Sequence, residues 1–274
     1  MAVQPLESPR LLLAVLALIA CPFAQGREDP PPSSAEQQRI LDAIQDYADQ
    51  YLANLPNFIC DQVTHQYHAG RNPTRWRQGD VLTSKLVYAE GHEQRSLELV
   101  NQKPIRPGMR LRRMPLETQG EFGVLMASIF SPASHTSIEW KGWESVRGSR
   151  AAVFAFAIDA QHSTMSLTSD DLIKDTVPFH GTVYGDPKTG AIWRITDIET
   201  NLPRELHTKL ISRVVDYGGV TIAAKTYLLP LQATIWLTSD SGNVRNELEF
   251  LNYRKFEAES VIKFASSDSP APQP

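Results

Sequence analysis

Beyond residue 33 the spacing of apolar residues follows first one period and then another. Ser33 and Glu36 form a capping-box pattern, and the apolar positions after them are Ile40, Leu41, Ile44, Tyr47, Ala48, Tyr51, Leu52 and Leu55. Steps of three and four predict an amphipathic helix. Pro56 disfavours helical geometry at Leu55, so this helix should run to about Asn54. After it the pattern alternates, and strands are predicted at Phe58 to Tyr67, Val81 to Ala89, Gln94 to Val100, Ser137 to Trp140, Ala152 to Ile158, Gly181 to Asp186, Ile192 to Thr200, Lys209 to Tyr217, Leu231 to Thr238 and Val244 to Phe256. Glu90-Gly91, Pro187 to Gly190, Gly218-Gly219 and Asp240 to Asn243 supply residues that tolerate tight reversals between them. A second helix is expected at Gly120 to Phe130, where Phe122, Leu125, Met126, Ile129 and Phe130 share a face before Pro132.

Consecutive hairpins imply an antiparallel meander, not β-α-β units. The helix has an apolar stripe that needs a partner surface. The expected fold is therefore α+β and mostly antiparallel: a curled meander sheet, an incomplete β-barrel, wrapped around the N-terminal amphipathic helix.

The ends of the 274-residue chain differ from its body. Arg10 precedes the unbroken apolar run Leu11 to Ala20, the length of a signal-peptide core and too short to span a bilayer. Two processing sites compete. Leu18-Ile19-Ala20-Cys21 resembles a bacterial lipobox, which would place an acylated Cys21 at the mature N-terminus, and Ala24-Gln25-Gly26 suits ordinary signal peptidase. The expected organisation is a signal peptide over 1–26, a Pro-rich linker over 27–33, one β-rich domain over 34–265 and a disordered tail over 266–274. The destination would be the periplasm or the outer membrane.

Once Cys21 is removed or acylated, Cys60 has no intrachain partner, and it is expected to be buried as a small apolar residue. The net charge of −4 with a pI near 6.0 argues against a nucleic-acid partner.

Motifs for known chemistry are missing from the sequence. It contains no Gly-x-Ser-x-Gly elbow, phosphate-cradling loop or dinucleotide fingerprint. His65-x-x-His68 has metal-like spacing, but strand positions three apart face opposite ways, so no metal and no cofactor is expected. Asp159 and Asp170-Asp171 read as turn or helix starts.

One stretch stands out. Between Lys103 and Pro115, the cations Lys103, Arg106, Arg110, Arg112 and Arg113 interleave with Met109, Leu111 and Met114, a composition that suits anionic head groups with apolar tips entering the interface. Trp140, Trp143, Trp193 and Trp236 are candidates to line a cavity, with Trp140-Lys141-Gly142-Trp143 read as strand-turn-strand.

The segment Gly181-Thr-Val-Tyr-Gly-Asp-Pro-Lys-Thr-Gly-Ala-Ile-Trp-Arg-Ile195 resembles a hairpin of the periplasmic lipoprotein-carrier and outer-membrane lipoprotein-receptor family. Asp216 to Gly219 and Tyr227 to Pro230, followed by the strand Leu231 to Leu237, resemble a later part of that pattern. The resemblance implies an incomplete barrel closed by helices and holding acyl chains, but no ligand-lining position carries over by motif. Asn54-Leu55-Pro56-Asn57-Phe58-Ile59-Cys60, Glu121-Phe122-Gly123 and Tyr253 to Phe256 resemble a set of uncharacterised bacterial secreted proteins, which supplies no activity.

Two readings outrank an enzyme of unrecognised type: a non-catalytic carrier of a lipid, acyl chain or other hydrophobic ligand, and an interaction or structural module with a filled core. An apolar cavity would favour the first, and a packed interior the second.

Overall fold

The computed structural model describes residues 30–106, 121–168 and 174–256. The first helix, α1 (Ser34–Asn54), begins where the capping pattern lies: the Ser33 hydroxyl oxygen accepts the Glu36 amide proton at 3.3 Å. It ends at Leu55, whose extended backbone leads into Pro56. Ile40, Ile44, Ala48 and Tyr51 form its buried stripe.

Four strands follow: β1 (Phe58–Ala69), β2 (Arg77–Ala89), β3 (His92–Val100) and the short β4 (Lys103–Pro104). After the seven-residue α2 (Val124–Phe130) come β5 (Ser137–Val146) and β6 (Ser149–Ile158), then a small hairpin of β7 (Ser166–Thr168) and β8 (Lys174–Thr176). The chain closes with β9 (Phe179–Gly185), β10 (Ile192–Glu199), β11 (Thr208–Ile222), β12 (Lys225–Ser239) and β13 (Asn243–Lys255).

Apart from β7 and β8, these strands form one curled, eleven-stranded antiparallel sheet in the order β4-β3-β2-β1-β13-β12-β11-β10-β9-β6-β5. Two meanders meet in its middle, where the first and last strands pair, Gln62 opposite Phe250 and Thr64 opposite Leu248. The free edges are β4 and β5.

Alternation sends one set of side chains to the covered face. One row across it is apolar: Leu248, Ala233, Val215, Ile195, Val183 and Phe154, in register from β13 to β6. These residues share a core with the stripe of α1 and with Leu125, Met126, Ile129 and Phe130 of α2. The turn between β9 and β10 lets α1 approach closely. A Cβ on Gly185 would stand 2.5 Å from Ile44 Cδ1, and one on Gly190 (φ +73°) would stand 2.0 Å from the Ala43 carbonyl oxygen. At its other end, the Tyr51 hydroxyl donates to the Leu228 carbonyl at 2.8 Å.

Three expectations need correction. Gly218-Gly219 is not a reversal, because β11 runs on to Ile222 with Gly218 and Gly219 paired to Leu229 and Leu228. The missing Cβ serves packing instead, since one on Gly218 would meet Leu231 Cδ1 at 2.4 Å. The reversal falls at Ala223-Ala224, with φ of 47° and 66°. Second, Trp140 to Trp143 lies within the single strand β5, interrupted by a register shift between Trp140 and Gly142, and the chain turns at Arg147-Gly148. Third, the second helix is shorter than expected: Glu121 to Gly123 form a turn, and Gly123 has φ of 110°. Gly120 lies outside the described residues.

Two alanines in the left-handed region cost about 1 kcal/mol or more each relative to a residue at ease there. Ala224→Gly should therefore raise the urea midpoint, by roughly 0.5–1 kcal/mol of stability, with the m-value unchanged. A lowered midpoint would mean that this turn is not strained.

Candidate functional site

The inner face carries a second row, directly beside the apolar one, in which polar and charged residues intrude: Gln66, Asn246, Ile235, Arg213, Asp197, Gly181 and Phe156, in register from β1 to β6. Arg213 on β11 faces Asp197 on β10 and donates to it twice, Nε to Oδ1 at 3.0 Å and Nη2 to Oδ2 at 3.2 Å. Such a forked pair is the geometry that suits a guanidinium in low dielectric.

Glu121 extends this pair across the interior. Its fully buried carboxylate lies 3.8 Å from Arg213 Nη1 and 3.7 Å from Arg95 Nη2 on β3. Its carbonyl accepts the Tyr217 hydroxyl at 3.0 Å. Arg95 also lies 4.0 Å from Glu93. Between β3 and β11 stand β2, β1, β13 and β12, so a flat sheet would hold the two arginines' strands roughly 24 Å apart. A single carboxylate touches both because the sheet curls.

Burial and neighbours set the protonation of the cluster. Burial acts to lower the pKa of Arg213, but the charges of Asp197 and Glu121 outweigh it and hold the guanidinium above its ordinary value. Glu199, two residues beyond Asp197 on the same face of β10, is pushed up to about 8, first by burial and then by the Asp197 charge. It is therefore mostly protonated at neutral pH. Burial likewise pushes the Cys60 thiol up to about 12, so it is no thiolate nucleophile.

Next to the charges is a polar band. Gln62, Thr64 and Gln66 of β1 are buried, and Gln62 Nε2 donates to the Thr64 hydroxyl at 3.1 Å. Gln62 Oε1, Gln66 Nε2 and Glu199 Oε2 have no hydrogen-bond partner among the described residues.

The aromatic candidates divide. The register shift in β5 puts Trp140 and Trp143 side by side, ring centroids 4.8 Å apart and nearly perpendicular. Trp140 also meets Phe154 at 5.2 Å, and Arg150 stacks over Trp143 at 3.9 Å. Both indoles are half-buried on the edge strand. Trp193 is half-buried at a register shift between Ile192 and Arg194. Trp236, also half-buried, alternates with the inward Ile235 and pairs with Ser212 and Arg245. Trp193 and Trp236 are not members of the core cluster around α1.

Lys103 and Arg106 are exposed beside the sheet edge at β4. Met109, Arg110, Leu111, Arg112, Arg113 and Met114 lie outside the described residues, as do Cys21 and Asp170-Asp171. His65 and His68 face opposite sides of β1, and among the described residues no group of three His, Cys, Asp or Glu is placed to hold a metal. Asp159 starts a turn, accepting the Gln161 and His162 amides. Beside it an open cleft of ≈ 430 Å³ is lined by His135, Ser137, Asp159, His180 and Asn201, among others.

The charged cluster is what sequence reasoning missed. A signal existed: Arg213 stands between Ile211 and Val215 at period 2, and Asp197 and Glu199 continue the inward position of Ile195.

No protein-family model matches the chain, and no curated protein matches it at a significant level. Among solved structures it is similar to a LolA superfamily protein from Nitrosomonas europaea, with 10% identity and a TM-score of 0.36 over 79% of this chain and 94% of that one. A domain named for outer-membrane lipoprotein sorting, from Vibrio parahaemolyticus, has 13% identity and a TM-score of 0.36 over 80% and 91%. A DUF1329 family protein from Desulfovibrio piger has 8% identity and a TM-score of 0.35 over 82% and 94%. At this distance likeness assigns neither ligand nor activity.

Two predictions follow from the cluster. Removing the central carboxylate takes one counter-charge from each of two guanidinium groups, leaving Arg213 to Asp197 and Arg95 to Glu93, so Glu121→Ala should destabilise the fold by about 2 kcal/mol, read by urea unfolding. A change under ~1 kcal/mol would mean that the bridge is dispensable. The second concerns pH. The folded pKa of Glu199 lies above its unfolded value near 4.5, so its contribution is complete below about pH 4.5 and is lost as pH rises towards about 8. Glu199→Gln should flatten the fall in stability over that window, and an unchanged pH slope would argue against a raised pKa.

Proposed function

We propose that this chain is a non-catalytic, exported cell-envelope protein that holds a lipid, acyl chain or other hydrophobic molecule against the concave side of an incomplete β-barrel wrapped around α1. The observation that carries the reading is the apolar row running from Leu248 to Phe154 and on to the half-buried pair Trp140 and Trp143 at the sheet's edge strand. Large flat rings at the rim of a curled sheet offer apolar area to a guest without a further strand to cover them. The interleaved cations and apolar residues in the sequence from Lys103 to Met114 would suit contact of the protein with anionic head groups. Export follows from the N-terminal apolar run, with Cys21 acylated or the leader removed after residue 26.

A second reading has its own support. Phe58, Phe122, Phe179 and Tyr217 are fully buried, and the Arg95–Glu121–Arg213 bridge occupies the space between opposite parts of the sheet. Packing of that kind favours an interaction or structural module with a filled core.

Native mass spectrometry of protein purified gently from its own envelope, followed by lipid extraction, separates the two. The carrier reading expects an apolar ligand bound one to one, with occupancy about tenfold weaker in Trp140→Ala/Trp143→Ala. Recovery of no apolar ligand from the wild type would leave the filled module standing. The same spectrum reads the mature N-terminus as acylated Cys21 or as an unmodified chain starting near residue 27.

A further inference from the structure

The turn between β1 and β2 carries a feature that the proposed ligand does not use. From Gln62 to Gly79 the chain has no Asp or Glu, and Arg71, Arg75 and Arg77 are all exposed. Arg75 and Arg77 make no ion pair with a described residue. Arg71 is fixed by its backbone contact, Nε donating to the Asp240 carbonyl at 2.9 Å, and this pins the turn to the neighbouring β12–β13 turn. Asp240 is the acid that meets this turn: its carboxylate pairs with Lys209 at 2.8 Å and also feels the charges of His207 and Arg71, whereas Asp80 is buried against Asn101 at 2.9 Å.

Under this turn lies an ordered aromatic platform. Tyr67, Arg245 and Trp236 stand in register on three adjacent strands, and the Arg245 guanidinium lies over Tyr67 at 4.5 Å and over Trp76 at 5.0 Å. Arg245 also pairs with Glu247 at 3.1 Å, so it organises the rings and leaves outward binding to the turn. All three aromatics are half-buried. Tyr67, Trp236 and Arg245 alternate with the inward Gln66, Ile235 and Asn246 and so belong to the outer face, where Arg245 meets Trp76 of the turn; Arg77, opposite His68, starts β2 on the other face.

We propose that this corner, with Arg71 and Arg75 on the turn beside Tyr67, Trp76 and Trp236 and Arg77 at the rim of the opposite face, is a docking surface for an anionic phospholipid membrane. Three exposed guanidinium groups, met by the Asp240 carboxylate that Lys209 already pairs, supply the attraction to phosphate head groups. Tyr and Trp at the same level supply the side chains that settle at a membrane–water interface. A chain with net charge −4 gathers this positive charge locally, against its overall balance. The surface goes beyond the ligand reading and is independent of it: it stands whether or not the concave face holds a guest.

The test uses the mature full-length chain with phosphatidylcholine vesicles, with and without phosphatidylglycerol, at low and high salt. The wild type should sediment with the anionic vesicles alone, and salt should release it. Arg71→Ser/Arg75→Ser/Arg77→Ser should bind on the order of 100-fold more weakly at low salt. Because Arg71 also fixes the turn, Arg75→Ser/Arg77→Ser is measured beside it and should lose most of the affinity while keeping the wild-type urea midpoint. Trp76→Phe should keep salt-sensitive binding yet lose part of the blue shift in tryptophan emission on the vesicles. Retention of wild-type binding by both arginine variants, or equal wild-type binding to both vesicle types, overturns the proposal. So does displacement of the wild type by inorganic phosphate beyond the effect of chloride at equal ionic strength, which would make the corner a free-anion site. Lipid recovery from the concave side does not enter any of these readouts.

Discussion

One carboxylate holds the interior to its shape. Glu121 lies within 4 Å of guanidinium groups on β3 and β11, strands that four others separate in the sheet order. Only a curled sheet lets both reach it, so the contact and the curvature require each other. The rest of the core is arranged around this constraint: Tyr217 donates to the Glu121 carbonyl, Phe122 beside it is fully buried, and α2 begins two residues further on. A buried ionic bridge is weak as a source of stability, since desolvation offsets most of the attraction. Its effect here is on specificity. An apolar residue at position 121 could sit at many depths in the interior, whereas a carboxylate has to meet both arginines.

Topology makes such a bridge useful. The sheet is two meanders joined at β1 and β13, the most distant strands in sequence, and pairing them closes the longest loop in the chain. Glu121 lies in the connection between the meanders and contacts one strand of each, β3 in the first and β11 in the second. It therefore reports on the same arrangement as the β1–β13 ladder, from the opposite side of the core. Helix α1 acts similarly. It precedes β1 in sequence, yet it packs through Ile44 against Gly185 in the second meander and through Tyr51 against β12.

Local chemistry was readable from the sequence, and long-range chemistry was not. The helix could be placed because a capping serine, a 3.6-residue period and a proline each act within a few residues. The strand centres followed from alternation. Gly218-Gly219 misled because a glycine pair reads as a turn, while here Gly218 has no side chain so that Leu231 can lie against the strand, and the reversal falls on two alanines. Trp140 and Trp143 are plain in the sequence, but only the register shift in β5 brings them onto one side, and nothing in a run of four residues specifies a bulge. The charged cluster is harder still. Arg95, Glu121, Asp197 and Arg213 come from four separate parts of the chain, and although Asp197 and Arg213 interrupt apolar alternation, nothing local says that all four meet.

The two rows of the inner face also constrain what a guest could be. The apolar row ends at Phe154 and Trp140, whereas the adjacent row passes through Asp197, Arg213, Asn246 and Gln66. A molecule that is hydrocarbon throughout would gain along the first row and lose on either side of it, where it would cover Gln66 Nε2 in the second row and Gln62 Oε1 beyond Thr64 without offering them a partner. An amphiphile avoids that loss. With its chain along the row towards Trp140 and an uncharged hydrogen-bonding head near β1, it could give Gln62 an acceptor's partner and Gln66 a donor's. A free carboxylate or phosphate head fits less well, since the guanidinium groups it would meet, Arg213 and Arg95, already face Asp197 and Glu121, and the Glu199 carboxyl beside them is itself kept protonated. The electrostatics of the wall thus favour a neutral head inside, while the exposed arginines of the β1–β2 turn favour anionic ones outside.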